Sequence, residues 1–197
     1  MEECKMRRSC LIFLVLFSLS LPGWSQSLED LARPHEGRSM RTTSTHVLPD
    51  GAYDSDSNWD NSNVKPGDTK TLLDVKGPGE ITHIWMTFLG PEPHPWAKDG
   101  AANHQEILLR MYWDKRPEPD VEAPVGEFFT CGFGTRMEVL SLPVIVDDGD
   151  AYNCFWRMPF REAARIEIIN QSDKNIGLPY YNVDHGFSLS FGIVPIS

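Results

Sequence analysis

The sequence predicts an all-β fold, a sandwich or a barrel. Several short segments alternate apolar and polar residues with a period of two. Gly- and Pro-containing turns separate these segments, and no long stretch carries a 3.6-residue period. Once residues 1–25 are set aside, the length fits one domain able to bury a sizeable core.

Residues 1–25 read as a secretory signal peptide. Lys5, Arg7 and Arg8 form a positive start, Cys10 to Leu21 is an apolar run, and Gly23-Trp24-Ser25 supplies small residues at the cleavage positions. The run is short for a bilayer span, which needs roughly 20 residues. The mature protein is expected to begin near Gln26 and to be secreted or periplasmic, with no membrane contact after cleavage. Net charge is −10 at pH 7. Such a surface repels nucleic acid and anionic lipid, and leaves neutral sugars or cationic groups as partners. Cys131 and Cys154 remain after cleavage; they either pair in an oxidising compartment or stand as buried thiols.

Residues 26–67 are a lead-in and polar loop, with helical turns expected over Ser27 to Arg33. Pro66-Gly67-Asp68 is a turn signal. Strands are expected at Thr71 to Lys76 and, after Gly77-Pro78-Gly79, at Glu80 to Leu89. In the latter, Ile84, Met86 and Phe88 lie on one face and Ile81, His83 and Trp85 on the other, the pattern of a central strand covered on two sides. Glu106 to Trp113 is the next strand. Val139 to Val146 is strand-like, with Pro143 marking an edge or bulge. Tyr152 to Trp156, Arg165 to Ile169 and Tyr180 to Asp184 complete the set, and a helix is allowed near Arg161 to Ala164. The expected core contains Ile84, Trp85, Met86, Leu109, Met111, Phe128, Phe155, Ile166 and Ile168.

Candidate chemistry sits in three places. Asp54 to Asp60 alternates oxygen side chains, but Trp59 and Lys65 occupy the positions where a calcium loop needs Gly and Glu. A loose cation site, a loop of side-chain turns and a sugar site all fit: Trp59 offers a flat face, and Asp60, Asn58 and Asn63 offer hydroxyl partners. Glu122 and Glu127 lie close in sequence, and glycosidases use paired carboxylates, yet the Pro and Gly between them read first as a fixed turn presenting Phe128 and Phe129. His83, His94 and His104 lack metal-ligand spacing, so neither a metal nor a cofactor is expected.

Six ordered blocks carry a resemblance: GPGEITHIWMTF (77–88), RMYWD (110–114), VEAPVGEFF (121–129), NCFWRMPF (153–160), ARIEIIN (164–170) and YYNVD (180–184). In order and spacing the chain, over about residues 35–184, resembles the N-terminal half of glycoside hydrolase family 172 enzymes, formerly the family of unknown function 2961. The resemblance implies a jelly-roll sandwich, the first of two in the family's longer chain, and trimer-based homo-oligomers. It also implies retaining cleavage of furanosides, with both catalytic glutamates in the second half, so no catalytic residue is carried over. The expected fold is an all-β, jelly-roll-like β-sandwich over residues 68–184, one domain after a signal peptide. Residues 185–197 form an atypical tail, read as the end of a truncated gene product or as a closing strand. The expected function is that of an exported, furanosidase-like family member that is not catalytic alone; a carbohydrate-binding or assembly module is the alternative. Candidate contacts to a furanose-containing carbohydrate are Trp59, Asp60, Asn63 and Glu127.

Overall fold

The alternating segments become two antiparallel sheets whose inner faces share one core. The computed structural model describes residues 37–46, 48 and 61–187. The signal-peptide segment, the Ser27–Arg33 turns, the 54–60 loop with Trp59 and Asp60, and residues 188–197 lie outside the described residues.

The strands are β1 (Arg38–Thr43), β2 (Thr69–Lys76), β3 (Gly79–Thr87), β4 (Ile107–Trp113), β5 (Val121–Pro124), β6 (Val139–Leu140), β7 (Val144–Asp147), β8 (Ala151–Cys154), β9 (Met158–Phe160), β10 (Ala163–Asn170) and β11 (Tyr180–Phe187), with one helical turn, α1 (Val125–Phe128). The larger sheet has seven strands in the order β1-β11-β3-β8-β7-β6, with β9 also pairing β3; the smaller has four, β2-β10-β4-β5. Ile81, Ile84, Met86, Val144, Val146 and Val183 of the first sheet meet Leu73, Leu109, Met111, Ile166 and Ile168 of the second. In β4 and β7 alternate residues such as Leu109 and Met111, or Val144 and Val146, turn inward, as period-two patterning requires.

Several expectations need correction. Ile81 does not share a face with His83 and Trp85. β3 pairs His83 with Asp184 and Ile81 with His185, so Thr82 is an extra residue, and the bulge turns Ile81 inward. β3 is central in its sheet, but its outer face is only partly covered: His83 and Trp85 are half-buried. Phe128 is also half-buried, and Phe155 is 42% exposed. Cys154 points inward, so the next residue faces out, where the Phe155 ring stacks on His83 with centroids 4.5 Å apart. No helix forms near Arg161 to Ala164; β10 starts at Ala163, and the Asp114 carboxylate accepts the Arg161 and Glu162 amides instead. The segment 139–146 divides into β6 and β7 around a turn in which Ser141 N–H donates to the Val144 carbonyl. Pro143 therefore marks a hairpin turn. The 121–129 segment forms β5 and α1 where only a turn was expected. β1 and β9 are polar or very short, and neighbours supply the pairing their patterns do not announce. β11 runs beyond Asp184 to Phe187 between β1 and β3, so it is an interior strand.

A polar chain crosses the outer face of the larger sheet. Arg41 donates to both carboxylate oxygens of Asp184, at 2.5 and 3.0 Å. His83 lies between Asp184, at 3.2 Å, and the Asn153 side-chain oxygen, at 3.1 Å. The Arg41 guanidinium holds the Asp184 carboxyl below its ordinary range, with His83 adding to the effect. Cys131 and Cys154 are both buried free thiols, and burial raises the pKa of each.

Candidate functional site

One end of the sandwich carries a cleft of about 410 Å³, within the usual range for small-ligand sites, lined by Phe88, Glu92, His94, Trp96, Arg136, Asp150, Leu178 and Tyr180 among others. Three loops and two strand ends build it. The 90–100 loop folds on itself: His94 and Ala97 exchange backbone hydrogen bonds at 3.0 and 2.9 Å, and Gly100 N–H donates to Ala97 O at 2.8 Å. Gly100 has φ +77°, and a Cβ there would strike the Pro91 carbonyl, so glycine is required for this reversal. The fold raises Trp96 to 75% exposure, with its ring 5.0 Å from that of His94.

Arg136 organises the polar side. Its Nε donates to the Gly149 carbonyl at 2.8 Å, and the same oxygen accepts from a terminal nitrogen, which also donates to Asp150 Oδ1 at 2.7 Å. The other terminal nitrogen lies 3.6 Å from Glu92 Oε2. Asp148 and Gly149 turn the β7–β8 hairpin with φ of 45° and 75°. A Cβ on Gly149 or on Gly90 would collide with the Arg136 side chain, so both glycines leave room for it. One guanidinium thus joins the 90–92 loop, the 132–138 loop and the 147–150 turn.

Behind Arg136 lies a buried polar pair. The Tyr152 hydroxyl sits 2.8 Å from Nδ1 of His104. Burial raises the Tyr152 pKa to about 12 despite Arg136. Burial also lowers the pKa of His104, and Arg136 adds to the shift, while Glu127 and Glu92 oppose it.

The residues expected at a site fall in different places. Asn63 is exposed, and its side-chain oxygen accepts the Leu178 amide at 2.9 Å; Leu178, with φ 46°, lines the cleft, so Asn63 props the wall from behind. Glu127 is exposed on α1 and is not among the lining residues; its nearest bearing on the site is its charge near His104. Glu122 pairs with Arg110 on the smaller sheet at 2.6 Å. The histidines do not converge: His83 is on the outer sheet face, His94 at the cleft rim and His104 in the core. Among the described residues no group of three His, Cys, Asp or Glu is placed to hold a metal. Sequence reasoning missed Trp96, Arg136, Glu92, Asp150 and Tyr180. The one local signal was a tryptophan in a Pro- and His-rich loop, where a large aromatic has no strand face to pack on.

Chemically, the cleft offers aromatic surface from Trp96 and Tyr180, and carboxylate acceptors from Glu92 and Asp150. Aromatic faces suit the C–H face of a sugar ring, and carboxylates accept its hydroxyls. The Glu92 and Asp150 side chains are 70% and 80% exposed and turned to the same guanidinium. A protein-family model described as GH172 domain-like matches residues 55–183 of the chain. No curated protein matches it.

Proposed function

The chain belongs to the GH172 domain-like family, and we propose that it is an exported sandwich that binds furanose-containing carbohydrate in the Trp96–Arg136 cleft without cleaving it alone. The observation that carries this reading is the cleft itself: an exposed tryptophan beside solvated, arginine-paired carboxylates. Membership makes it a glycoside hydrolase family member, which supports a sugar as the ligand. Retaining hydrolysis needs two carboxyl groups about 5 Å apart, one acid/base and one nucleophile. In this reading they come from a second sandwich of the family's architecture, supplied by a longer chain or a partner, and assembly is trimer-based.

The purified chain is expected to release no nitrophenol from p-nitrophenyl fructofuranoside or arabinofuranoside. The assay includes Glu92→Gln, Asp150→Asn, Glu122→Gln and Glu127→Gln. Turnover by the native chain that vanishes in one of these variants would make that carboxylate catalytic and end the non-hydrolytic reading.

Export is part of the proposal, supported by the basic, apolar and small-residue order of residues 1–25. N-terminal sequencing of the protein made in a secreting host should start near Gln26. Cytosolic protein still beginning at Met1 would refute export.

A further inference from the structure

The larger sheet ends in a corner without charge. Its strand order puts β6 at the edge, paired with β7 on one side only. Residues 139–146 (VLSLPVIV) and 151–156 (AYNCFW) contain no charged side chain. Ile145 of β7 lies between Leu140 of β6 and Asn153 of β8, so the three form one row across the outer face. Past the strand ends, the Phe155 amide donates to the Pro143 carbonyl at 2.8 Å. Leu142 precedes Pro143 and Trp156 follows Phe155, so their side chains rise from one joined strip of backbone.

This corner is apolar and held out to solvent. Leu140, Leu142 and Trp156 are 75%, 96% and 57% exposed, and Phe155 joins them on the outer face. The turn that carries Leu142 is locked by Ser141. Its amide and its hydroxyl both donate to the Val144 carbonyl, at 3.0 and 2.7 Å, and the Val144 amide donates back to the hydroxyl at 3.1 Å. The Phe155 ring is fixed by its stacking on His83. None of these four side chains belongs to the core, and none lines the cleft. Their exposed parts amount to on the order of 600 Å² per copy, larger than the scattered apolar surface of an ordinary monomer.

We propose that this corner is a twofold contact between two copies of the chain, each patch packing on the same patch of the other. Leu140 and Leu142 offer a sugar or a charged partner nothing to bond, so the partner must present an uncharged apolar surface of its own. This chain carries such a surface. Its net charge of −10 sets two copies against each other on most faces, and the repulsion is least where charge is missing. The ion pair on the same outer face, Arg41 with Asp184, is neutral as a unit. Packing patch on patch would bury about 1,200 Å² in all, above the roughly 1,000 Å² that a specific interface needs. Charge-poor composition and an exposed tryptophan are the marks of an interface centre. The locked turn keeps the ordering cost of association small. The contact goes beyond the ligand-cleft reading and does not depend on it. A twofold contact doubles whatever else assembles, so it fits a single dimer or two joined trimers.

Sedimentation velocity of the purified chain tests this, at about 50 µM, well above a micromolar Kd at the weak end for such areas. The native protein should sediment with an even number of copies. Leu142→Glu and Leu142→Lys should each halve that mass, because either charge would be buried without a partner. Circular dichroism should show both variants folded, since Leu142 makes no core contact. If one of them fails to fold, Trp156→Lys carries the same expectation. Added salt should leave the native mass unchanged, as befits a contact without ion pairs. A native monomer, an odd number of copies, or a mass that Leu142→Lys leaves intact would overturn the proposal. Halving by Leu142→Glu alone would do so too, since it would reflect added negative charge and no buried patch. Two copies against six separately decide whether the assembly is trimer-based, and titration with methyl arabinofuranoside decides the cleft reading in the same samples.

Discussion

Ile168→Ala is expected to destabilise the sandwich by roughly 2–5 kcal/mol, the usual cost of truncating a buried isoleucine. Ile168 is 4% exposed and sits on β10, the strand flanked by both β2 and β4. It lies opposite Leu109 of β4 and points inward with Ile166, against the larger sheet. The loss combines lost transfer energy with a cavity that a strand held on both edges cannot close. A domain of this kind has about 5–15 kcal/mol in total, so the variant should be visibly impaired. Ile169→Ala is the control: its side chain faces outward and is half-buried, so its cost should be clearly smaller. Urea unfolding followed by circular dichroism measures both, and the account requires a lower midpoint for Ile168→Ala with an unchanged slope. Equal costs at the two positions would mean that the register of β10 is wrong.

Trp96→Ala is expected to weaken furanoside binding by at least about tenfold, or 1.4 kcal/mol, while leaving stability within roughly 0.5 kcal/mol. The ring is three-quarters exposed, so the fold gains little from it. A ring that stacks on a sugar loses both apolar contact and orientation when removed. Calorimetric titration of methyl arabinofuranoside and methyl fructofuranoside into native and variant protein measures the affinity, and thermal unfolding measures the stability. Unchanged affinity would move the sugar away from this cleft. A large fall in stability would assign Trp96 a packing role instead.

Much of the fold was legible because alternation is local. In β4, Ile107, Leu109 and Met111 repeat every second residue, and each is fully buried. In β10, Ile166 and Ile168 follow the same rule, whereas β2 buries the adjacent Leu72 and Leu73. The bulge at Thr82 was not legible, because it is fixed by how β11 pairs with β3, which the sequence of β3 does not state. β1 and β9 were missed for a related reason: their backbones are satisfied by β11 and β3, whatever their own side chains favour. Phe155 looked like core by composition, and strand phase alone decided otherwise.

The cleft was the least legible part. Glu92, Arg136 and Asp150 meet from three loops, each bond spanning a sequence separation that no periodicity reports. The conformations that bring them together depend on left-handed turns at Gly100, Asp148 and Gly149. Asn63 was singled out for its side-chain chemistry, and its side-chain oxygen accepts the amide of Leu178, a residue of the cleft wall.

Saturation-transfer NMR on p-nitrophenyl arabinofuranoside mixed with the native chain reads binding and cleavage in one tube. The account predicts transfer from protein to the furanose ring protons, strongly reduced in Trp96→Ala, with the anomeric signal of the intact glycoside constant over time. Steady loss of that signal with release of nitrophenol, abolished by Glu92→Gln or Asp150→Asn, would contradict it and make the cleft an active site.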